Sequence, residues 1–144
     1  MHIPKREEGQ GLVEYALLLV LVAVIIIAIL TILGSQVMVV FAKVTAGLNG
    51  QVITGQGVEA VIVGFDSNIT SGTGGCGGTV SNISVIGLDD GAVLKDGTVS
   101  FKVFVDGAQV GGTHSVSTNS SGMGTYAGPI SISGTGSCHV RFGT

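Results

Sequence analysis

From Ala16 to Leu33 the chain reads ALLLVLVAVIIIAILTIL, eighteen residues in which Thr31 is the only polar side chain. No polar stripe recurs at helical spacing, so a helix here is apolar on every side and needs lipid or other helices around it. The β-branched residues Val20, Val22, Val24, Ile25, Ile26 and Ile27 lower helix propensity by about 0.5 kcal/mol each. In lipid the helix still wins, because a strand would leave backbone groups unpaired at several kcal/mol apiece. The apolar pattern resumes after Gly34-Ser35-Gln36 as VMVVFAKVTAGL, and Gly47 with Asn49-Gly50 supplies C-cap chemistry. Lys43 stands near the last turns, where a cation is favoured. A helix running from Gln10 to Leu48 would be roughly 58 Å long at 1.5 Å per residue, about twice the hydrocarbon thickness of a bilayer. Its second half is therefore expected outside the membrane. Gly34 and Ser35 read equally well as a flexible point or as a close-packing site for a neighbouring helix.

Beyond Val58 the period changes to that of strands. VEAVIVGF, TVSNISVIGL, TVSFKVFVDG, THSVST, PISIS and CHVRF are the candidate strands, and Asp90-Gly91, Asp96-Gly97 and Asp106-Gly107 are tight-turn dipeptides. Val99, Phe101, Val103 and Val105 alternate with Ser100, Lys102 and Phe104, which predicts one buried face. The expected fold class is α+β, a long N-terminal hydrophobic helix followed by a small all-β domain, an immunoglobulin-like sandwich. The expected divisions are a leader at 1–9, the helix at 10–49, a linker at 50–57 and the β-sandwich at 58–144.

Composition sharpens this division. Only four of the 25 glycines lie in the first 49 residues. Charged residues are 10% of the 144, far below the quarter usual for a soluble domain, and the mean hydropathy is +0.65. Six basic against nine acidic residues, with no basic run, remove nucleic acid as a main partner. Glycine without a G-X-Y period excludes collagen.

Before the apolar run stands MHIPKREEG, with Lys5 and Arg6 on the N-terminal side of the helix. The positive-inside tendency keeps that end in the cytoplasm and sends the β part outward. No small-residue cleavage site follows the apolar core as it would in a secretory signal; the informative small residue is Gly9, before the core. The run EEGQGLVEYALLLVLVAVIIIAIL resembles the precursor of a Flp/Tad pilin, a subclass of the type IV pilins. In that family a membrane peptidase cuts after a glycine, and the mature chain carries Glu and Tyr fifth and sixth. Cutting after Gly9 makes Gln10 the first mature residue and places Glu14 and Tyr15 at those positions, whereas cutting after Gly11 would put Glu14 third.

The resemblance covers about the first 50 residues; typical members are little more than the helix, and this chain adds about 95 residues. It implies a precursor in the cytoplasmic membrane and a mature extracellular filament, a homopolymer whose partners are a prepilin peptidase and a pilus assembly ATPase with its platform. It also implies that Glu14 and Tyr15 act in assembly. On that reading Glu14, buried on extraction from the membrane, is neutralised by the new α-amino group of Gln10 on a neighbouring subunit, four residues or roughly 6 Å away along a helix. Were Gln10 to cyclise, Glu14 would be protonated or hydrogen-bonded, for instance to the Tyr15 hydroxyl. The plainer alternatives are an interfacial carboxylate favoured by the helix dipole and an aromatic of the membrane belt.

In the β part, Cys76 and Cys138 are the only cysteines. In an exported domain they imply a disulfide, closing a long loop and tying the glycine-rich GTGGCGG segment to the last strand. His114 and His139 read as exposed strand histidines without a paired acid. TGGCGG lacks the GK[ST] and following helix of a phosphate-binding loop. Asp66, Asp89, Asp90 and Asp96 lack EF-hand spacing and are explained as turn formers. Asn68, Asn82 and Asn119 head N-glycosylation sequons, which suit an exposed surface but arise as readily by chance in a Ser/Thr-rich domain. Neither a metal set, a cofactor motif nor a convergent catalytic set is found, so an enzyme is not expected. The second reading is an uncleaved, signal-anchored surface or binding domain, with a minor pseudopilin between the two.

Overall fold

The computed structural model describes residues 8–144, with side chains from Gly11 onward. Residues 1–7 of the expected leader lie outside the described residues, as do the side chains of Gly9 and Gln10, while the backbone of residues 8–9 already belongs to the helix. One helix, α1, spans Glu8–Leu48, and Gly34 and Ser35 fall within it. The remainder is antiparallel β: β1 (Val58–Gly72), β2 (Gly75–Asp89), β3 (Ala92–Val93), β4 (Thr98–Val105), β5 (Ala108–Ser117), β6 (Met123–Tyr126), β7 (Ile130–Gly134) and β8 (Val140–Gly143). The chain is therefore α+β, as expected. It divides into two compact units, 1–37 and 38–144.

The β strands of the second unit form two sheets. In the five-stranded sheet β1 lies along one edge of β2, while β7, β6 and β3 share the other edge in that order along β2. The three-stranded sheet has the order β5-β4-β8. One core joins them: Ala60, Ile62, Val80, Ile83 and Val85 from the first sheet meet Val99, Phe101, Val103 and Phe142 from the second. The alternation in β4 holds, with Val99, Phe101, Val103 and Val105 all buried. Asp106-Gly107 makes the β4–β5 hairpin, both residues at positive φ (49° and 87°), the geometry in which the turn twists with its strands. At Gly87, near the end of β2, a Cβ would lie 2.9 Å from both Thr118 Cγ2 and Val99 Cγ1, so side chains from elsewhere in the domain occupy that space.

Strands β1 and β2 run well beyond the apolar segments that announced them. Residues 66–72, largely polar, pair with 75–81 from Asp66↔Ser81 to Gly72↔Gly75, so GTGGCGG is a hairpin end rather than a loop. β6 was not anticipated. Val61, Ile86 and Leu88 point away from the sandwich core and form a second cluster with Ala42 and Ala46 of the helix, flanked by Met38, Val39, Ile53 and Val63. The small side chains at 42 and 46, one turn apart, let this end of α1 sit directly on the sheet.

The helix ends in a Schellman motif. Gly50 takes φ 67°, its N–H donates to Gly47 O (3.3 Å), and the Gln51 N–H donates to Ala46 O (2.9 Å). The turn delivers Gln51, 7% exposed, against β1. Its Nε2 donates to Ala60 O and its Oε1 accepts from the Ile62 N–H (3.1 Å), while Asn49 Nδ2 donates to Ile62 O (3.3 Å). Two amide side chains thus occupy the β1 edge as a neighbouring strand would. The segment expected as a linker, 50–57, is held to the domain by these bonds.

Replacing Gln51 by Ala leaves Ala60 O and Ile62 N–H buried without partners, and the domain should lose about 2–4 kcal/mol. Gln56→Ala, at an exposed position, should stay within about 0.5 kcal/mol; chemical denaturation followed by near-UV circular dichroism compares the two.

Cys76 and Cys138 are disulfide-bonded, with Cα atoms 5.7 Å apart and a sequence separation of 62. Closing that loop constrains the unfolded chain, and reduction should lower stability by about 4 kcal/mol in the chain-entropy model. Denaturation midpoints measured with and without reductant, compared with Cys76→Ser/Cys138→Ser, give the check.

Candidate assembly surface

Among the described residues, the first unit presents an apolar helix whose side chains are exposed. Eighteen large apolar or aromatic side chains from Leu12 to Val37 are each at least 49% exposed. Hiding them from water is worth on the order of tens of kcal/mol. Gly11–Leu48 has the length and hydropathy of a membrane span. The Ser and Thr hydroxyls on α1 already serve its own backbone: Thr31 Oγ1 donates to Ala28 O (2.7 Å), Ser35 Oγ to Ile32 O (3.2 Å) and Thr45 Oγ1 to Phe41 O (2.9 Å). Such back-bonding lets them enter an apolar medium without stranded donors.

Glu14 is therefore distinctive. It is the one charged residue between Gly11 and Ala42, it is exposed, and Tyr15 beside it is 72% exposed. A carboxylate at a bilayer surface is inexpensive, but inside an apolar assembly it needs a cation or hydrogen-bond donors.

The other sequence-derived candidates are dispersed over the β domain. Asn68, Asn82 and Asn119 are exposed. Asn82, at φ 48°, donates through Nδ2 to Asp66 Oδ2 (2.8 Å), and Asn119 Oδ1 accepts from the Ser121 and Met123 N–H groups (2.9 and 3.0 Å). Among the described residues, Asn68 is the sequon amide without a side-chain hydrogen bond. Asp90 and Asp106 are turn residues at positive φ, as is Asp96. Among the described residues no three His, Cys, Asp or Glu side chains converge on one point.

Two histidine expectations need correction. His114 is half-buried, its ring 5.5 Å from Phe101 and 5.0 Å from Tyr126, with Nε2 enclosed and lacking a hydrogen-bond partner. The Phe101↔His114 pairing puts it on the core side of β5. His139 is exposed, but it precedes β8 and does have an acid beside it. Asp106 Oδ1 accepts from the His139 N–H (3.0 Å), with the ring Nδ1 at 3.6 Å. Ser137 Oγ reaches the same Nδ1 (3.2 Å). Because serine and aspartate address one nitrogen, the three form a turn clamp rather than a proton relay from hydroxyl through imidazole to acid.

Sequence reading missed Glu59, only 4% exposed near the start of β1. Burial works to raise its carboxyl, but the Thr54 hydroxyl, the Thr54 and Gly55 N–H groups (2.8 and 3.0 Å) and the charge of Lys43 outweigh that and hold it below the ordinary 4.5. A Glu one residue into an apolar strand, five after a Thr, was the available signal. Its bonds fasten the 54–55 turn beneath the helix end.

No family model, curated protein or solved structure matches the chain.

Glu59 gives the domain a pH signature. Its folded-state carboxyl lies below the unfolded value, so its contribution is complete above about pH 4.5 and is lost as pH falls through the lowered folded value. Glu59→Gln should remove that part of the acid sensitivity and cost about 1–3 kcal/mol at neutral pH. Denaturant midpoints of both proteins between pH 3 and 7 decide it; parallel curves would refute the role.

Proposed function

We propose that this chain is the precursor of a structural subunit of an extracellular type IV, Flp/Tad-like pilus. The observation that carries the proposal is the apolar helix exposed on every side, with Glu14 as its one charge between Gly11 and Ala42, attached to a disulfide-tied β domain. The leader pattern around Gly9-Gln10 and the Glu14-Tyr15 spacing add the processing step. In the membrane the helix anchors the precursor. After cleavage, helices of successive copies replace lipid as each other's surroundings, and head-to-tail contacts that do not close generate a filament. The β domains then coat it, presenting a neutral Ser/Thr/Gly surface for adhesion or colonisation. The implied partners are the prepilin peptidase, the assembly ATPase with its platform, and further copies.

Within the filament Glu14 sets subunit register by pairing with the α-amino group of Gln10 on a neighbour. Intact-mass measurement of material sheared from the cell surface should give a chain beginning at Gln10, in filaments. Full-length chain found only in membranes would favour a signal-anchored surface domain instead. Glu14→Ala should slow assembly at least tenfold while leaving the β domain's melting unchanged; assembly at the normal rate and order would remove the register role.

A further inference from the structure

The sandwich is open along one side. Among the described residues β1 pairs with β2 alone and β8 with β4 alone, and Phe65, Ser67 and Ile69 of β1 line a common hollow of about 510 Å³ with the 138–141 segment. A second hollow of about 500 Å³, formed by Asp106, Gly107, His139 and Arg141, adjoins the first through its last two residues. Each has the size of a small-molecule subsite.

The lining is chemically mixed and held in place. Phe65 is 38% exposed, yet its ring centroid lies 5.0 Å from that of buried Phe142, so an aromatic ring is offered to solvent from a fixed position. Arg141 is exposed, lines both hollows and, among the described residues, forms no ion pair. Asp106 Oδ1 accepts from the His139 N–H, and its side chain is still 32% exposed. The Cys76–Cys138 bridge ties the two walls together, because Cys76 stands opposite Ser71 at the end of the β1–β2 hairpin while Cys138 begins the other wall.

These groups select a ligand class. The negative face of an aromatic ring attracts the C–H groups of a pyranose, a guanidinium takes a carboxylate through two parallel hydrogen bonds, and a carboxylate accepts from hydroxyls. A wholly apolar ligand would strip water from Arg141 and Asp106 without replacing it, and a small free anion would leave Phe65 unused. We propose that the paired hollows bind an acidic polysaccharide, with one sugar on Phe65, its neighbour beside Asp106 and a uronate carboxylate on Arg141. The site gives the adhesion part of the pilus reading its ligand and rests on that reading only for this setting, since every residue in it belongs to the unit 38–144.

The test is calorimetric titration of the full-length chain in detergent, where no filament is needed, with tetragalacturonate and with maltotetraose as its uncharged counterpart. Tetragalacturonate should bind, and maltotetraose about tenfold more weakly or not at all. Arg141→Gln should weaken the acidic tetramer about tenfold and Phe65→Ala about fivefold, with disulfide formation and β-domain melting reporting the fold. Lys95→Gln removes an exposed cation outside both hollows and should change affinity by less than about twofold. Absence of tetragalacturonate binding at about 10 mM would overturn the site. Equal binding of the uncharged tetramer would overturn it too, as would equal losses in Lys95→Gln and Arg141→Gln, which would assign the attraction to diffuse charge. If the expected affinities hold but the chain forms no filaments on cells, the site stands and the pilus reading fails.

Discussion

Everything in this chain answers to one constraint, that its N-terminal helix has no polar side. A helix of ordinary amphipathic design resolves its solvent problem within its own domain, by turning an apolar stripe inward. Here exposed aliphatic side chains occur at nearly every position between Leu12 and Val37, so the covering atoms must come from outside the chain. Lipid and apolar protein surfaces are media of that kind. The hydroxyls of Thr31 and Ser35 are committed to their own helix turns, leaving Glu14 as the one charged group between Gly11 and Ala42. In an environment of uniform hydrocarbon, a lone carboxylate is the group able to distinguish one axial position from another.

The β domain faces the opposite problem, since it must hold the end of this helix firmly while remaining a water-exposed body. The joint is built from polar bonds made inside a small apolar contact. Ala42 and Ala46 bring the helix close to Val61, Ile86 and Leu88. The Gly50 turn then places Gln51 and Asn49 on the β1 edge, and Glu59 secures the 54–55 turn. These bonds also answer the hazard of an open strand edge, for side chains now occupy groups that another chain's backbone would otherwise find.

Much of this was legible in the residues, and the portions that were not have definite physical reasons. The unbroken apolar run and the Gly50 cap predicted the helix to within two residues at either end. The β4 alternation predicted its buried face, the Asp-Gly pairs predicted turns, and the two cysteines predicted their bond. The extent of β1 and β2 escaped because Ser, Asn, Thr and Gly between 66 and 78 carry turn propensity that cross-strand pairing overrides. His114 was misjudged because its neighbours Thr113 and Ser115 are polar; only the register opposite Phe101 reveals its direction. Gln51 and Glu59 were invisible because their value lies in backbone groups that become neighbours only after folding.

The β1–β2 hairpin shows how one pair of strands can serve both requirements. Near its start Ala60 and Ile62 enter the sandwich core while Val61 and Val63 face the helix end. Strict alternation would then keep even-numbered residues of β1 inside for its whole length. The register instead shifts twice, between Ile62 and Gly64 and between Gly64 and Asp66, the second opposite Asn82 at φ 48°. Each shift adds a residue to one strand, so the two compensate and pairing resumes in step. Beyond them Ile69 and Val80 pack on the sandwich core, while Asp66 and Asn68 are exposed. The hairpin is thus apolar on both faces where the helix covers it and apolar on one face where water does, and the bulges are the device that allows the change.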